Sequence, residues 1–84
     1  MTITVFYFAS LREAVGVSSE KLALPEGVAT IVTLRAHLAG RGEGWRALVQ
    51  MKNLKSAVNQ TMVAGDAPIA DGDEVAFFPP VTGG

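Results

Sequence analysis

The stretch that decides the fold is Asp71-Gly72-Asp73-Glu74-Val75-Ala76-Phe77-Phe78-Pro79-Pro80, near the carboxyl end of an 84-residue chain. The Asp-Gly-Asp sequence is typical of a turn, and the apolar residues after it predict a final strand over 74–78. Because side chains alternate along a strand, we expect Val75 and Phe77 to face the core and Ala76 and Phe78 to face the other side. The two prolines lack a backbone N–H and end the strand.

A second strand is predicted at the opposite end of the chain, over residues 3–8. These residues are β-branched and aromatic with a period of two, which places Ile3, Val5 and Tyr7 towards the core. Phe6 and Phe8 then point to the opposite face. The first and last strands are the most apolar of the chain, so we expect both to lie at the centre of the sheet.

The residues between these strands predict helices and short strands. Thr30 is a plausible N-cap for a principal helix from Ile31 to about Ala39, because Ile31, Leu34 and Leu38 fall on one helical face. The other predicted elements are helical turns at 9–15 ended by Gly16, a strand at 20–24, a helical piece at 45–51, and strands at 56–58 and 61–63 around Asn59-Gln60.

Together these elements indicate an α+β domain over residues 1–78, with a mixed sheet of about five strands and the principal helix packed on one face. Residues 79–84 are predicted to form an extended tail.

The composition excludes several classes of function. Seven basic against eight acidic residues, spread without runs, argue against nucleic acid or an anionic membrane as a partner. No cysteine is present, so thiolate catalysis and cysteine-bound zinc are excluded. The N-terminus lacks the basic region of a signal peptide, and its apolar stretch is too short to span a membrane. We therefore expect a cytoplasmic protein.

The body of the chain shows no recognisable catalytic motif. His37 falls on a predicted surface of the helix, without a second residue spaced to work with it. The glycines at 40, 42 and 44 follow a helix and lack the Gly-Lys-Ser/Thr ending of a phosphate loop. Asp71 and Asp73 belong to a turn and lack the spacing of a calcium loop. We therefore expect no metal site in this chain.

The final residues, Val81-Thr82-Gly83-Gly84, suggest where the chemistry lies. Glycine has no Cβ, so a diglycine can lie extended in a slot too narrow for other residues and leave a carbonyl carbon open to attack. Six residues from Pro79 to Gly84 span roughly 20 Å when extended, enough to enter a cleft of another protein. The alternative is a frayed end without a function.

An exposed apolar patch is predicted at the root of this tail. Phe8 and Phe78 face away from the core, and Met62 on a neighbouring strand extends the same face. Such a patch would favour docking of a partner protein. The alternative is that helical pieces or loops cover these three side chains.

The ending from Asp71 to Gly84, with Phe8-Ala9-Ser10-Leu11-Arg12-Glu13 and Ala57-Val58-Asn59-Gln60, resembles the MoaD family of sulfur carriers, the small subunits of molybdopterin synthase. The resemblance covers essentially the whole chain and implies the ubiquitin-like β-grasp fold. It also implies that an E1-like adenylyltransferase activates the Gly84 carboxylate with ATP and Mg, and that a sulfur donor protein converts it to a thiocarboxylate. The sulfur then passes to cyclic pyranopterin monophosphate to form molybdopterin.

By the same resemblance, the acceptor site belongs to a large subunit, and two carriers and two large subunits form a heterotetramer. No cofactor is expected on this chain alone. The residues expected to contact partners are Phe8, Met62, Phe78, Pro79, Pro80, Val81, Thr82 and Gly83.

Three other functions remain open from the sequence. A related carrier for thiamine or tRNA thiolation would have the same terminal chemistry and a different acceptor. A ubiquitin-like modifier would join Gly84 to lysines of other proteins. An inert tail on a binding module is the third.

Overall fold

The computed structural model describes residues 1–80, in which five strands and three α-helices surround one core. The predicted elements are all present, with ends that differ by at most one residue. Their bounds are β1 Thr2–Tyr7, α1 Ala9–Val15, β2 Ser19–Ala23, α2 Ile31–Ala39, a 3-10 turn Gly44–Arg46, α3 Ala47–Gln50, β3 Lys55–Val58, β4 Thr61–Val63 and β5 Glu74–Phe78.

The strands form one mixed sheet in the order β2-β1-β5-β3-β4. β1 and β5 pair in parallel, with Thr4 opposite Glu74 and Tyr7 opposite Phe77, whereas the other neighbours are antiparallel. The first and last strands are therefore adjacent and central, as predicted. A parallel pair needs a long crossover connection. Here the connection from β1 to β5 contains, in sequence, every other helix and strand of residues 1–80.

The principal helix, α2, begins where Thr30 predicts. The Thr30 side chain accepts a hydrogen bond from the backbone N–H of Thr33, and the Thr33 side chain accepts one from the backbone N–H of Thr30. This reciprocal arrangement satisfies two donors that a helix start leaves free. Ile31, Leu34 and Leu38 are fully buried, which confirms the predicted apolar face.

The core lies between one face of the sheet, called the inner face below, and the helices. The strands contribute Ile3, Val5, Tyr7, Val75 and Phe77, none more than 1% exposed. Leu11, Leu34, Leu38 and Leu48 from the three helices pack into the same cluster. Burial of each of these side chains stabilises the fold by roughly 1.5–3 kcal/mol before the entropy of ordering is subtracted.

The turns that set the strand registers use the predicted residues. Asn59 and Gln60 have φ of 50° and 69°, as a two-residue hairpin turn with positive φ at both positions requires. Asn59 Nδ2 donates to Asp73 Oδ1 over 3.0 Å, and Glu74 N donates to Asn59 Oδ1 over 3.0 Å. The hairpin turn is thereby tied to the turn that precedes β5.

The glycine-rich segment after α2 has a packing role that the sequence did not indicate. A Cβ built on Gly44 would collide with the carbonyl oxygen of Ala14 in α1. The predicted helical piece at 45–51 also differs in detail, because it is a 3-10 turn followed by the four-residue α3. The absence of a side chain at Gly44 therefore lets the 3-10 turn pack directly against the backbone of α1.

Candidate functional site

The face of the sheet opposite the core, called the outer face, carries the predicted apolar patch. Phe6 and Phe8 on the β1 side and Ala76 and Phe78 on β5 all point to this face, while their neighbours Tyr7 and Phe77 are buried. Phe8 is 48% exposed and Met62 on β4 is 57% exposed. Within residues 1–80, the alternative that helical pieces or loops cover these side chains is therefore wrong for Phe8 and Met62, whereas Phe78 is half-buried. We call Phe6, Phe8, Met62, Ala76 and Phe78 the outer patch.

The aromatic rings of the outer patch contact one another. The Phe8 and Phe78 ring centroids lie 6.5 Å apart at an interplanar angle of 79°, an edge-to-face contact, and Phe6 and Phe8 lie 6.4 Å apart at 17°. Edge-to-face and offset aromatic pairs add about 0.5–1.5 kcal/mol beyond area burial. The rings thus hold each other in place, so the surface is preorganised.

Strand register explains the shape of the outer patch. Phe6, Ala76, Ala57 and Met62 form one row across four adjacent strands. At about 4.8 Å per strand, this row places Met62 roughly 14 Å from Phe6. Because alanine side chains are short, the surface is recessed at Ala76 and Ala57 in the middle of the row, between the larger side chains of Phe6 and Met62 at its ends.

A groove of about 210 Å³ lies next to this recessed middle, lined by Phe6, Phe8, Gln60, Glu74 and Ala76. Strand alternation predicted Phe6 and Ala76 on the outer face, but neither residue was predicted to contact a partner, and Ala57 was not predicted as part of this surface. The groove itself needs the register of three strands, which no local pattern contains.

The outer patch lies at the root of the predicted tail. β5 ends at Phe78, and Pro79 and Pro80 follow as half-buried residues. Phe8 N donates to Phe77 O over 3.2 Å, which extends the β1–β5 pairing to the last residues before the prolines. Phe8, Phe78, Pro79 and Pro80 are thus brought together at one end of the sheet. The predicted residues Val81, Thr82, Gly83 and Gly84 lie outside the described residues.

The clearest polar cluster lies at the edge of the inner face, where it joins the Gly40–Gly44 segment to the sheet. Tyr7 Oη donates to Glu20 Oε2 over 2.9 Å, and Arg41 Nη1 donates to the same oxygen over 2.7 Å. The Arg41 guanidinium lies 4.6 Å from the Trp45 ring centroid, and Trp45 packs edge-on against Tyr7 at 5.4 Å. These contacts link residues distant in sequence and stabilise the helical layer.

The electrostatics of this cluster oppose a catalytic role for Tyr7. Burial, followed by the hydrogen bond to Glu20, raises the pKa of the Tyr7 phenol far above its ordinary value. The phenol therefore stays protonated at neutral pH and cannot act as a base. Glu20 raises the pKa of Arg41 through their hydrogen bond, so the guanidinium stays charged.

His37 is the only histidine of the chain. His37 lies half-buried in the last turn of α2 rather than on a fully exposed surface. In this part of the chain, no three His, Asp or Glu side chains come together as a metal site would require. Of its helices, none has the length and apolarity needed to cross a bilayer. The outer patch is the surface that stands out for a function.

A mixed sheet with its first and last strands in parallel at the centre, and helices on one face, defines a ubiquitin-like β-grasp protein. The model of the ThiS family matches residues 5–84, and the chain belongs to this family. The molybdopterin synthase sulfur carrier subunit of Escherichia coli is 46% identical over 82 residues, which cover 98% of this chain and 99% of that relative. The sulfur-carrier resemblance is confirmed.

Two solved structures confirm the fold. The small archaeal modifier protein SAMP1 of Haloferax volcanii is 27% identical with a TM-score of 0.77, and the match covers 100% of both chains. A chain from a complex of subunits 1 and 2 of the molybdopterin-converting factor of Helicobacter pylori is 25% identical with a TM-score of 0.68, again over 100% of both chains. The β-grasp fold is thereby confirmed.

Proposed function

We propose that this chain is the sulfur-carrier subunit of a molybdopterin synthase and that Gly84 carries the sulfur. The observation that carries the proposal is the 46% identity to the Escherichia coli sulfur carrier subunit over nearly the full length of both chains. The outer patch at the root of the tail supports it, because a carrier needs a surface that docks while its tail enters a partner. In this proposal, residues 79–84 are the tail and residues 1–78 the docking domain.

The proposed reaction begins with activation of the Gly84 carboxylate. A terminal carboxylate has a pKa near 3.3–3.7, so at neutral pH it is an anion and a poor electrophile. An E1-like adenylyltransferase, using ATP and Mg, lets the carboxylate oxygen attack the α-phosphorus, and pyrophosphate leaves. Sulfide-level sulfur from a donor protein then attacks the acyl carbon, and AMP leaves. The product is a thiocarboxylate.

The second half-reaction takes place in the large subunit. The tail carries the thiocarboxylate sulfur to cyclic pyranopterin monophosphate, where it becomes part of the dithiolene of molybdopterin. A tether of this kind raises the effective concentration of the sulfur at the acceptor to about the millimolar range. In this account the carrier supplies reach and docking, and binds no cofactor itself.

The partners follow from the same proposal. The Helicobacter pylori structure, a complex of subunits 1 and 2, supports a large-subunit partner. We propose a heterotetramer with two copies of each subunit, and contacts made by Phe8, Met62 and Phe78 on the docking domain. Pro79, Pro80, Val81, Thr82 and Gly83 would line the path of the tail. We place the reaction in the cytoplasm, and no nucleic acid or membrane takes part.

A second function is favoured by one specific observation. The similarity to the modifier protein SAMP1 supports a role in which the same activated Gly84 forms an isopeptide bond with lysines of other proteins. Both fates begin with the same adenylate, so activation alone does not separate them.

Intact-mass spectrometry tests the proposal. The chain is incubated with ATP, the E1-like enzyme and a sulfur source, and we expect replacement of one oxygen by one sulfur. Deletion of Gly84, or addition of one residue after it, should abolish this change while circular dichroism shows the same fold. An unchanged mass in the natural chain would contradict the carrier proposal. Lysine adducts without any thiocarboxylate would favour the modifier.

A further inference from the structure

The groove on the outer face has the size of a side-chain site rather than a ligand site. Its volume is about 210 Å³, whereas pockets for small molecules have volumes of roughly 300–1,000 Å³. Phe6, Phe8 and Ala76 give it an apolar interior, and Gln60 and Glu74 stand at its polar side. The dimensions and the lining both fit one bulky apolar side chain of a partner.

The floor of the groove depends on one small residue, Ala76. Ala76 lies between Phe6 and Ala57 in the row that crosses the sheet. Ala57, the next member of this row, is also small and is 6% exposed. A larger side chain at position 76 would therefore occupy the space that the groove leaves open.

On the outer face, the two ends of β5 lie beside opposite charges, and Lys21 on β2 lies in the row of Glu74, two strands away across Thr4. Glu74 begins β5 beside the groove, and Lys55 lies opposite Phe78 at the tail end of the same strand. Four residues of strand separate these levels by about 13 Å. Within the described part of the chain, the single ion pair joins Arg41 to Glu20, so Glu74 and Lys55 have no ionic partner there.

We propose that the groove receives one bulky apolar side chain of the large subunit, flanked by a cation that faces Glu74, and that an acidic group of the same subunit faces Lys55. The inference rests on the proposed function and extends it to how the partner is oriented. The groove shares Phe8 with the surface at the tail root, so a partner that receives the tail also covers the groove.

The two charges give the docked complex a direction. Complementary charges across an interface determine orientation and association rate more than they determine affinity. A large subunit rotated by half a turn on this face would place like charges opposite each other and turn its active site away from Phe78. Glu74 and Lys55 therefore orient the large subunit so that its active site lies at the Phe78 end of the outer face, where the tail begins.

The first test fills the groove. Ala76→Leu adds a branched side chain to the groove floor, and Ala23→Leu adds the same side chain to an exposed position of β2 at a far corner of the outer face. Binding to the large subunit from the same genome is measured by calorimetry. We expect the Kd to rise at least about tenfold for Ala76→Leu, as for a lost interface anchor, and to stay within about twofold for Ala23→Leu. Equal binding by both variants and the natural chain would overturn the groove assignment.

The second test reverses charge. Glu74→Lys is compared with Glu26→Lys, which makes the same change in an exposed turn before α2. We expect Glu74→Lys alone to slow association by about tenfold at low salt, with the difference shrinking as salt screens the charges. Lys55→Glu should slow it as well. The same rate for the variants at 74 and 26 would contradict the orienting role.

A titration of the isotope-labelled natural chain remains informative if Ala76→Leu fails to fold. On addition of the large subunit, we expect the amide signals of Phe6, Gln60 and Glu74 to shift. Unchanged signals in a complex that forms would overturn the inference. Self-association of the chain through the groove would also overturn the inference, because it would assign the groove to a second copy of this chain. A shift of the groove signals on deletion of residues 81–84 would assign the groove to the chain's own tail and would likewise overturn it.

Failure of this inference is distinguishable from failure of the proposed function. If the natural chain acquires a thiocarboxylate and binds the large subunit while groove variants bind equally well, only the groove assignment is wrong. If the natural chain acquires no thiocarboxylate, the proposed function itself is wrong.

Discussion

The two faces of the sheet use the same strands for opposite purposes. On the inner face, Val75 and Phe77 are completely buried beneath the helices. On the outer face, Ala76 and Phe78 of the same strand lie at a surface where the Phe8 ring contacts the rings of Phe6 and Phe78. The inner face stabilises the domain, while the outer face is available to a partner. Strand alternation alone separates the two roles, residue by residue.

The largest expected effect is the difference in stability between alanine variants of the adjacent residues Phe77 and Phe78. Phe77→Ala removes a fully buried ring and should lower the free energy of unfolding by about 3–5 kcal/mol. Phe78→Ala removes a half-buried ring that contacts the ring of Phe8. It should lower the free energy of unfolding by about 1 kcal/mol. Urea denaturation measures both. Equal losses would contradict the assignment of the two faces.

A charge on the outer face should affect binding more than folding. Phe8→Asp should weaken binding of the large subunit by about 2–4 kcal/mol, as expected when a charge replaces an aromatic anchor. Its cost to stability should stay near or below about 1 kcal/mol, because the ring is half exposed. Calorimetric binding and thermal unfolding give the two quantities.

Val32→Asp is the matched control for Phe8→Asp, because Val32 is 55% exposed on α2, in the helical layer. We expect it to leave binding unchanged. Loss of binding in both variants, or in neither, would remove the distinction between the faces.

The close approach of Gly44 to α1 predicts a loss of stability when a side chain is added at this position. Gly44→Ala should destabilise the fold by about 2 kcal/mol, because a methyl group at this position forces the 3-10 turn away from Ala14. Gly40→Ala is the control, since its added carbon would lie at 3.4 Å from His37 O and its φ of −75° suits alanine. Chemical denaturation should show a change near zero for Gly40→Ala, and equal effects would contradict the proposed packing role.

A smaller effect is expected at alkaline pH. The pKa of Tyr7 is raised in the folded protein, so above about pH 10 the unfolded chain loses the phenol proton while the folded chain keeps it. Stability from this source is complete below pH 10 and falls as the pH rises, by about 1 kcal/mol near pH 11.

Denaturation curves at several pH values, compared between the natural chain and Tyr7→Phe, isolate the Tyr7 contribution. Glu20 and Arg41, the charged groups at the phenol, remain in both proteins. Since Tyr7 is the only tyrosine, phenolate absorbance reports its ionisation directly. The same alkaline loss in Tyr7→Phe would contradict this prediction.

Local patterns were enough to predict most of the fold. Thr30 and the spacing of Ile31, Leu34 and Leu38 gave the start and buried face of α2, because a helix cap and a helical stripe are both encoded within one turn or two. Period-two alternation likewise gave the faces of β1 and β5. Asn59 and Gln60 gave the hairpin turn because few residues accept a positive φ at both positions.

The features that were missed depend on contacts between distant residues. Arg41 and Glu20 lie 21 positions apart, and their pairing follows only once α2 packs on the sheet. The groove needs Phe6 and Ala76 opposite each other on adjacent strands, with Gln60 of the hairpin turn beside them. For the site, strand alternation predicted Phe8, Met62 and Phe78 on the outer face, whereas their contribution to partner binding stays a prediction.

Sulfur transfer itself provides the most direct test of the central claim that this chain carries sulfur on Gly84 to a partner docked on the outer face. The thiocarboxylated chain is mixed with the large subunit and cyclic pyranopterin monophosphate, and its intact mass is followed with time. We predict that the mass returns to that of the carboxylate as molybdopterin forms, and that Phe8→Asp slows this return. A thiocarboxylate that persists in the presence of both components would contradict the account.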